Sequence, residues 1–98
     1  MSYKKLTIKS TASIEIEEAI SNYYHINKSL AQKLEKELRY SFTKISKNPE
    51  SFQFRYKTIR IIWLKTFPYG IYYVYDSDEV YILAFWHVKE DAINKLKN

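Results

Sequence analysis

Phe67-Pro68-Tyr69-Gly70-Ile71-Tyr72-Tyr73-Val74-Tyr75-Asp76 is the stretch on which the fold turns. β-Branched and aromatic residues suit a pleated, packed surface, and a sheet tolerates proline at the first residue of a strand. The run predicts a strand that begins at Pro68 and is closed by the acidic turn Asp76-Ser77-Asp78-Glu79. Both alternating rows are apolar or aromatic: Ile71, Tyr73 and Tyr75 on one, Tyr72 and Val74 on the other. A strand with one wet face would carry polar residues on one row, so this strand belongs near the middle of a sheet.

Downstream, Glu79 to His87 reads as its hairpin partner. Strict alternation puts Val80, Ile82, Ala84 and Trp86 on one row and Tyr81, Leu83, Phe85 and His87 on the other. Lys89 to Lys97 is charged, yet Ala92, Ile93 and Leu96 have helical spacing, so a short C-terminal helix is expected. Upstream, Ile59 to Lys65 and the alternating Phe52, Phe54 and Tyr56 predict two further strands.

Before Asn48-Pro49 the period changes from two to that of a helix. Ala31, Leu34, Leu38, Phe42 and Ile45 form one seam, and Ser29 with Gln32 has capping-box spacing. Proline lacks the amide a helix needs and restricts the residue before it, so the helix stops there. An earlier helix carries Ala12, Ile16, Ala19, Ile20 and Tyr23 on its stripe, with Ser10 or Thr11 as cap. Glu15, Glu17 and Glu18 lie toward its positive end. The linker from about His25 to Lys28 is short enough to force an antiparallel hairpin. Tyr3 to Lys9 alternates as a first strand. The predicted class is α+β: a strand, an antiparallel helical hairpin, then three or four mainly antiparallel strands and a short terminal helix.

At 98 residues the chain is expected to be one domain over residues 1–98. It has no cysteine, which excludes disulfides and thiolate chemistry and suits a reducing cytoplasm. No apolar run reaches the ~20 residues of a membrane span, and Met1-Ser2-Tyr3-Lys4-Lys5 opens no signal-peptide core, so no membrane partner is expected. Net charge is +5, and Ser51 to Tyr75 holds no acid while carrying Arg55, Lys57, Arg60 and Lys65 among nine aromatics. Such a segment can bind phosphates and bases, or it can be the outward row of ordinary strands.

The order strand-helix-helix-strands resembles the RelE/ParE superfamily of bacterial type II toxin–antitoxin toxins. The resemblance rests on Tyr23-Tyr24 closing the first helix, Asn48-Pro49 closing the second, Phe67-Pro68-Tyr69 before Ile71-Tyr72-Tyr73, and Phe85-Trp86-His87 at the end of the last strand. It covers roughly Leu6 to His87 and is closer to the ParE-like branch. It implies a basic toxin of a plasmid-stabilisation module, neutralised by a cognate antitoxin. RelE-like members cut mRNA on the ribosome without metal; characterised ParE-like members poison DNA gyrase. A degenerate member would bind its antitoxin without being toxic.

Metal-free RNA cleavage needs an acid and a base at the ribose and cations around the phosphate. His87, Arg60 and Lys57 are the catalytic candidates for that reading, with Arg55, Lys65 and Trp63 as target or nucleic-acid contacts. The resemblance puts Gly70 about where an RNA-cutting member presents an arginine. The structural alternative for His87 is a local hydrogen bond at a strand end. Ile14, lying off its helix stripe, with Tyr40, Tyr72 and Tyr81, are candidate partner contacts. A sheet with helices on one side leaves an aromatic face for a partner strand, an antitoxin helix or a homodimer. No Asp/Glu/His cluster has ligand spacing, so neither metal nor other cofactor is expected.

Overall fold

The computed structural model describes residues 3–97. Strand β1 (Lys5–Ile8) leads directly into helix α1 (Ser10–Ile26), which a single residue separates from α2 (Lys28–Lys47). A 3₁₀ turn (Pro49–Ser51) follows, then β2 (Phe54–Tyr56), β3 (Ile59–Trp63), β4 (Tyr69–Tyr75), β5 (Glu79–His87) and α3 (Ala92–Lys97). The sheet order is β1-β5-β4-β3-β2, with β1 parallel to β5 and every other pair antiparallel. The predicted α+β class holds, and β4 lies in the middle of the sheet.

Helices α1 and α2 cover one face. Ala12, Ile16 and Ala19 of α1 and Leu34, Leu38 and Ile45 of α2 pack on Ile62, Ile71, Tyr73, Val80, Ile82 and Phe85. The Tyr73 phenol is buried in this layer and donates to the Pro49 carbonyl at 2.5 Å, which ties the turn after α2 to the central strand. Burial pushes that phenol well above its ordinary range, so it stays a neutral donor.

Two caps differ from the sequence reading. Neither Ser10 nor Thr11 caps α1. Its cap position is Lys9, without a side-chain bond, and the junction is held by Lys9 N–H donating to the Ile82 carbonyl at 3.0 Å. For α2 the cap is Asn27, whose Oδ1 accepts from Ser29 N–H at 2.8 Å, in place of Ser29 itself.

The rows of β5 also differ. Tyr72 pairs with Ala84 but Tyr73 pairs with Ile82, so Leu83 is an extra residue, a β-bulge. Past the bulge the alternation inverts. Val80, Ile82 and Phe85 face the helical layer, while Ala84 and Trp86 turn to the opposite face.

The opposite face, open in the sequence reading, is covered in part by α3. Ala92 of α3 is buried with Ile61, Tyr72 and Ala84, and Ile59, Trp86 and Leu96 pack around them. Tyr72 is therefore 1% exposed and cannot serve as the surface partner contact read from the sequence. Its phenol is pushed above its ordinary value by burial, against which the neighbouring Arg55 guanidinium pulls.

Candidate functional site

His87 ends β5 opposite Tyr69, and the two rings meet edge to face at 5.3 Å. Its Nδ1 accepts the Lys89 N–H at 3.1 Å, the local bond of a strand-end histidine. The ring borders a shallow cleft between α1 and β5 that is lined by Glu15, Glu18, Asn22, Tyr69, Phe85 and Glu90. Three carboxylates around one imidazole make a poor seat for a phosphodiester, whose charge they repel.

Tyr69 stacks flat on Phe85 at 4.6 Å and edge-on to Tyr23 at 6.5 Å. Burial, and then the charges of Tyr23 and Glu90, hold its phenol above the ordinary value, so it is a neutral hydroxyl beside His87.

Arg60 lies elsewhere. It pairs with Tyr73, whereas His87 pairs with Tyr69, so the two are about 13 Å apart along the strands and about 10 Å apart across them. Its guanidinium donates to the carbonyls of Phe52 at 2.6 Å and Glu50 at 3.1 Å. It also stacks over the exposed Phe54 ring at 3.8 Å. Arg60 thus anchors the turn between α2 and β2 through one guanidinium nitrogen, whose two bonds both go to backbone. Lys57 is the one non-glycine residue with a left-handed backbone (φ 52°) among the described residues; it sits exposed in the β2–β3 turn. The three catalytic candidates are not brought together.

The remaining candidates are scattered, with one pair excepted. Arg55 lies by the Tyr72 phenol at the margin of α3. Trp63, 40% exposed, pairs with Gly70, and a Cβ at Gly70 would come within 3.0 Å of the Trp63 ring and 2.6 Å of Ile61 Cδ1. Gly70 is there for space: any side chain would strike its two neighbours on β3. The Tyr81 hydroxyl, with one proton to give, lies within reach of the carboxylates of Asp76 at 3.3 Å and Glu79 at 3.2 Å. Ile14, on α1, is 55% exposed and joined on that helix by exposed Tyr24 and Ile26. Tyr40 and Lys65 do come together, lining one groove with Lys33, Lys36, Glu37 and Thr66.

Two helix carboxylates hold strands by bonds that no local pattern discloses. Strand β1 stops at Ile8, opposite Ile82, so the later half of β5 has no strand on that side. Glu15 occupies the gap: it accepts the Phe85 N–H at 3.1 Å and the Trp86 indole N–H at 2.6 Å. Glu37 accepts Lys65 N–H at 2.6 Å and Thr66 N–H at 3.3 Å, pinning the β3–β4 connection to α2.

Among the described residues, no group of three or more His, Cys, Asp or Glu side chains is placed to hold a metal ion. None of the described helices is long and apolar enough to cross a membrane.

In fold, the chain is similar to the solved "Chromosomal ParDE TA system from P. aeruginosa". The TM-score is 0.70 at 16% identity, covering 87% of this chain and 96% of that one. No curated protein matches the chain in sequence. The family model described as "ParE toxin of type II toxin-antitoxin system, parDE" matches residues 6–92, from the first strand to the start of α3. With nearly every element of the fold inside that match, the chain belongs to the ParE toxin family of type II toxin–antitoxin systems.

Proposed function

We propose that the chain arrests growth by binding a macromolecular target, DNA gyrase being the one the ParE-like branch implies, and that a cognate antitoxin encoded beside it neutralises it. The observation that supports binding over RNA cleavage is the state of the candidate catalytic groups. His87 is bordered by Glu15, Glu18 and Glu90, and Arg60, two strands away, is tethered by one guanidinium nitrogen to the Glu50 and Phe52 carbonyls. Cleavage would need an acid–base group and a cation within reach of one phosphate.

The antitoxin is proposed to wrap α1, where Ile14, Tyr24 and Ile26 leave apolar surface uncovered on more than one side of the helix. The test is induced expression with and without the adjacent gene, followed by a supercoiling assay with purified gyrase. Arrest relieved by co-expression, together with inhibited supercoiling, supports the proposal. Unhindered growth on induction removes the toxin reading, and unaffected supercoiling removes gyrase as the target.

A further inference from the structure

The outer face of α2 carries a feature that binding to an antitoxin or gyrase leaves unexplained. At 3.6 residues per turn, Lys33, Lys36, Tyr40, Lys44 and Lys47 fall on one continuous stripe, about 21 Å long from first to last. Lys65, on the β3–β4 connection, flanks the same stripe across the groove it shares with Lys33, Lys36 and Tyr40. None of these lysines forms an ion pair among the described residues; the one pair there is Lys95 with Glu90. The carboxylate nearest the stripe, Glu37, is taken up by the Lys65 and Thr66 amides. Glu35 falls on the far side of the helix.

In the middle of this cationic row stands Tyr40, 61% exposed, with Lys44 Nζ 5.1 Å from its ring centre. A rotamer-rich row of cations with one exposed ring between them is what a single nucleic-acid strand needs: charges for successive phosphates and a flat platform for a base. A globular partner would leave most of these lysines at a polar rim. A duplex would have no use for the ring.

We infer that the Lys33–Lys47 stripe of α2, with Lys65 and Tyr40, is a binding track for single-stranded nucleic acid that is separate from the toxin's protein contacts. Phosphates run along the lysines and one base stacks on Tyr40. Binding is sequence-tolerant, because every base presents a π-face. Salt weakens it steeply, because each neutralised phosphate releases counterions.

The experiment is fluorescence anisotropy of a labelled oligo(dT) 20-mer titrated with the purified chain at several salt concentrations. About four to five neutralised phosphates give a slope of log affinity on log salt near −3. Lys33→Gln with Lys36→Gln should flatten that slope by about 1.4, two phosphates' worth. Tyr40→Ala should weaken binding about fivefold or more with the slope unchanged. Lys89→Gln with Lys97→Gln removes the same charge next to and on α3, which packs on the opposite face of the sheet from α2, and should leave binding as it was. All of these positions are exposed, so the fold is not at risk. The inference is overturned by no binding at low salt, by equal loss in the Lys89/Lys97 control, or by Tyr40→Ala binding as tightly as the native chain. Tighter binding to a 20-base-pair duplex or to polyglutamate also overturns it.

Discussion

Replacing Glu15 by alanine is expected to cost more than any other single change on the outer half of α1. The Glu15 carboxylate accepts two hydrogen bonds, from the Phe85 amide at 3.1 Å and the Trp86 indole at 2.6 Å, where β5 has no strand beside it. Hydrogen bonds to a charged acceptor contribute about 1.5–3 kcal/mol each, and the lower value applies because the site is half-buried and water can reach the freed amide. Two such bonds give about 3 kcal/mol, a fall in melting temperature on the order of 12–24 °C for a chain of this size. Glu15→Gln keeps the shape but turns an amide N–H₂ toward one of the two donors, so about half the loss should remain. Urea unfolding followed by tryptophan fluorescence measures both variants. Combining Glu15→Ala with Trp86→Phe isolates the indole bond, with a coupling of about 1–2 kcal/mol expected. A loss below about 0.5 kcal/mol for Glu15→Ala, or no coupling to Trp86, would refute the role given to this carboxylate.

Gly70→Ala should destabilise by about 1–3 kcal/mol, read as a lower urea midpoint, because its methyl enters the space of the buried Ile61 side chain and the Trp63 ring. An unchanged midpoint would show that the two neighbours yield freely. Asp76 accepts the Asp78 and Glu79 amides at 2.9 Å each, and these bonds hold its carboxyl below the ordinary value of 3.8. Its contribution to stability is therefore complete above that ordinary value and is lost as pH falls through the lower, folded-state value. The difference in urea midpoint between native chain and Asp76→Ala should accordingly shrink between pH 5 and acid pH. A constant difference would contradict the assignment.

What the sequence disclosed was whatever depends on local pattern. The doubly apolar rows of Tyr69–Tyr75 placed β4 centrally, the Ala31–Ile45 seam placed α2 on the core, and Asn48-Pro49 stopped it. What it hid was long-range. A period-two reading of β5 cannot register the extra residue at Leu83, because the bulge exists only relative to Tyr72 and Tyr73 on the neighbouring strand. Glu15 and Glu37 looked like ordinary solvated helix carboxylates, since their partners lie 70 and 28 residues away. Asn27 was passed over as a cap because Ser29 with Gln32 offered a familiar spacing. The burial of Tyr72 is hidden for the same reason: the spacing of Ala92, Ile93 and Leu96 predicts a helix but not the face of the sheet on which it packs.

The candidate site followed the same division. Residue types suited to phosphate chemistry were visible, but their separation was not, because it is set by strand pairing. Arg60 shows the consequence: its charge suggested a clamp, and its position makes it a bracket for the turn at Glu50–Phe52. An Arg60→Ala variant would therefore confound lost chemistry with lost structure. His87 is the cleaner probe, since among the described residues its side chain makes one hydrogen bond, to the nearby Lys89 amide.

The decisive measurement is growth after induction of His87→Ala beside the native chain, with transcript ends mapped in both cultures. Growth arrest of equal depth in the two, without new transcript ends, is the result expected of a toxin that binds its target. Arrest accompanied by cleavage of translated transcripts, both lost in His87→Ala, would contradict it.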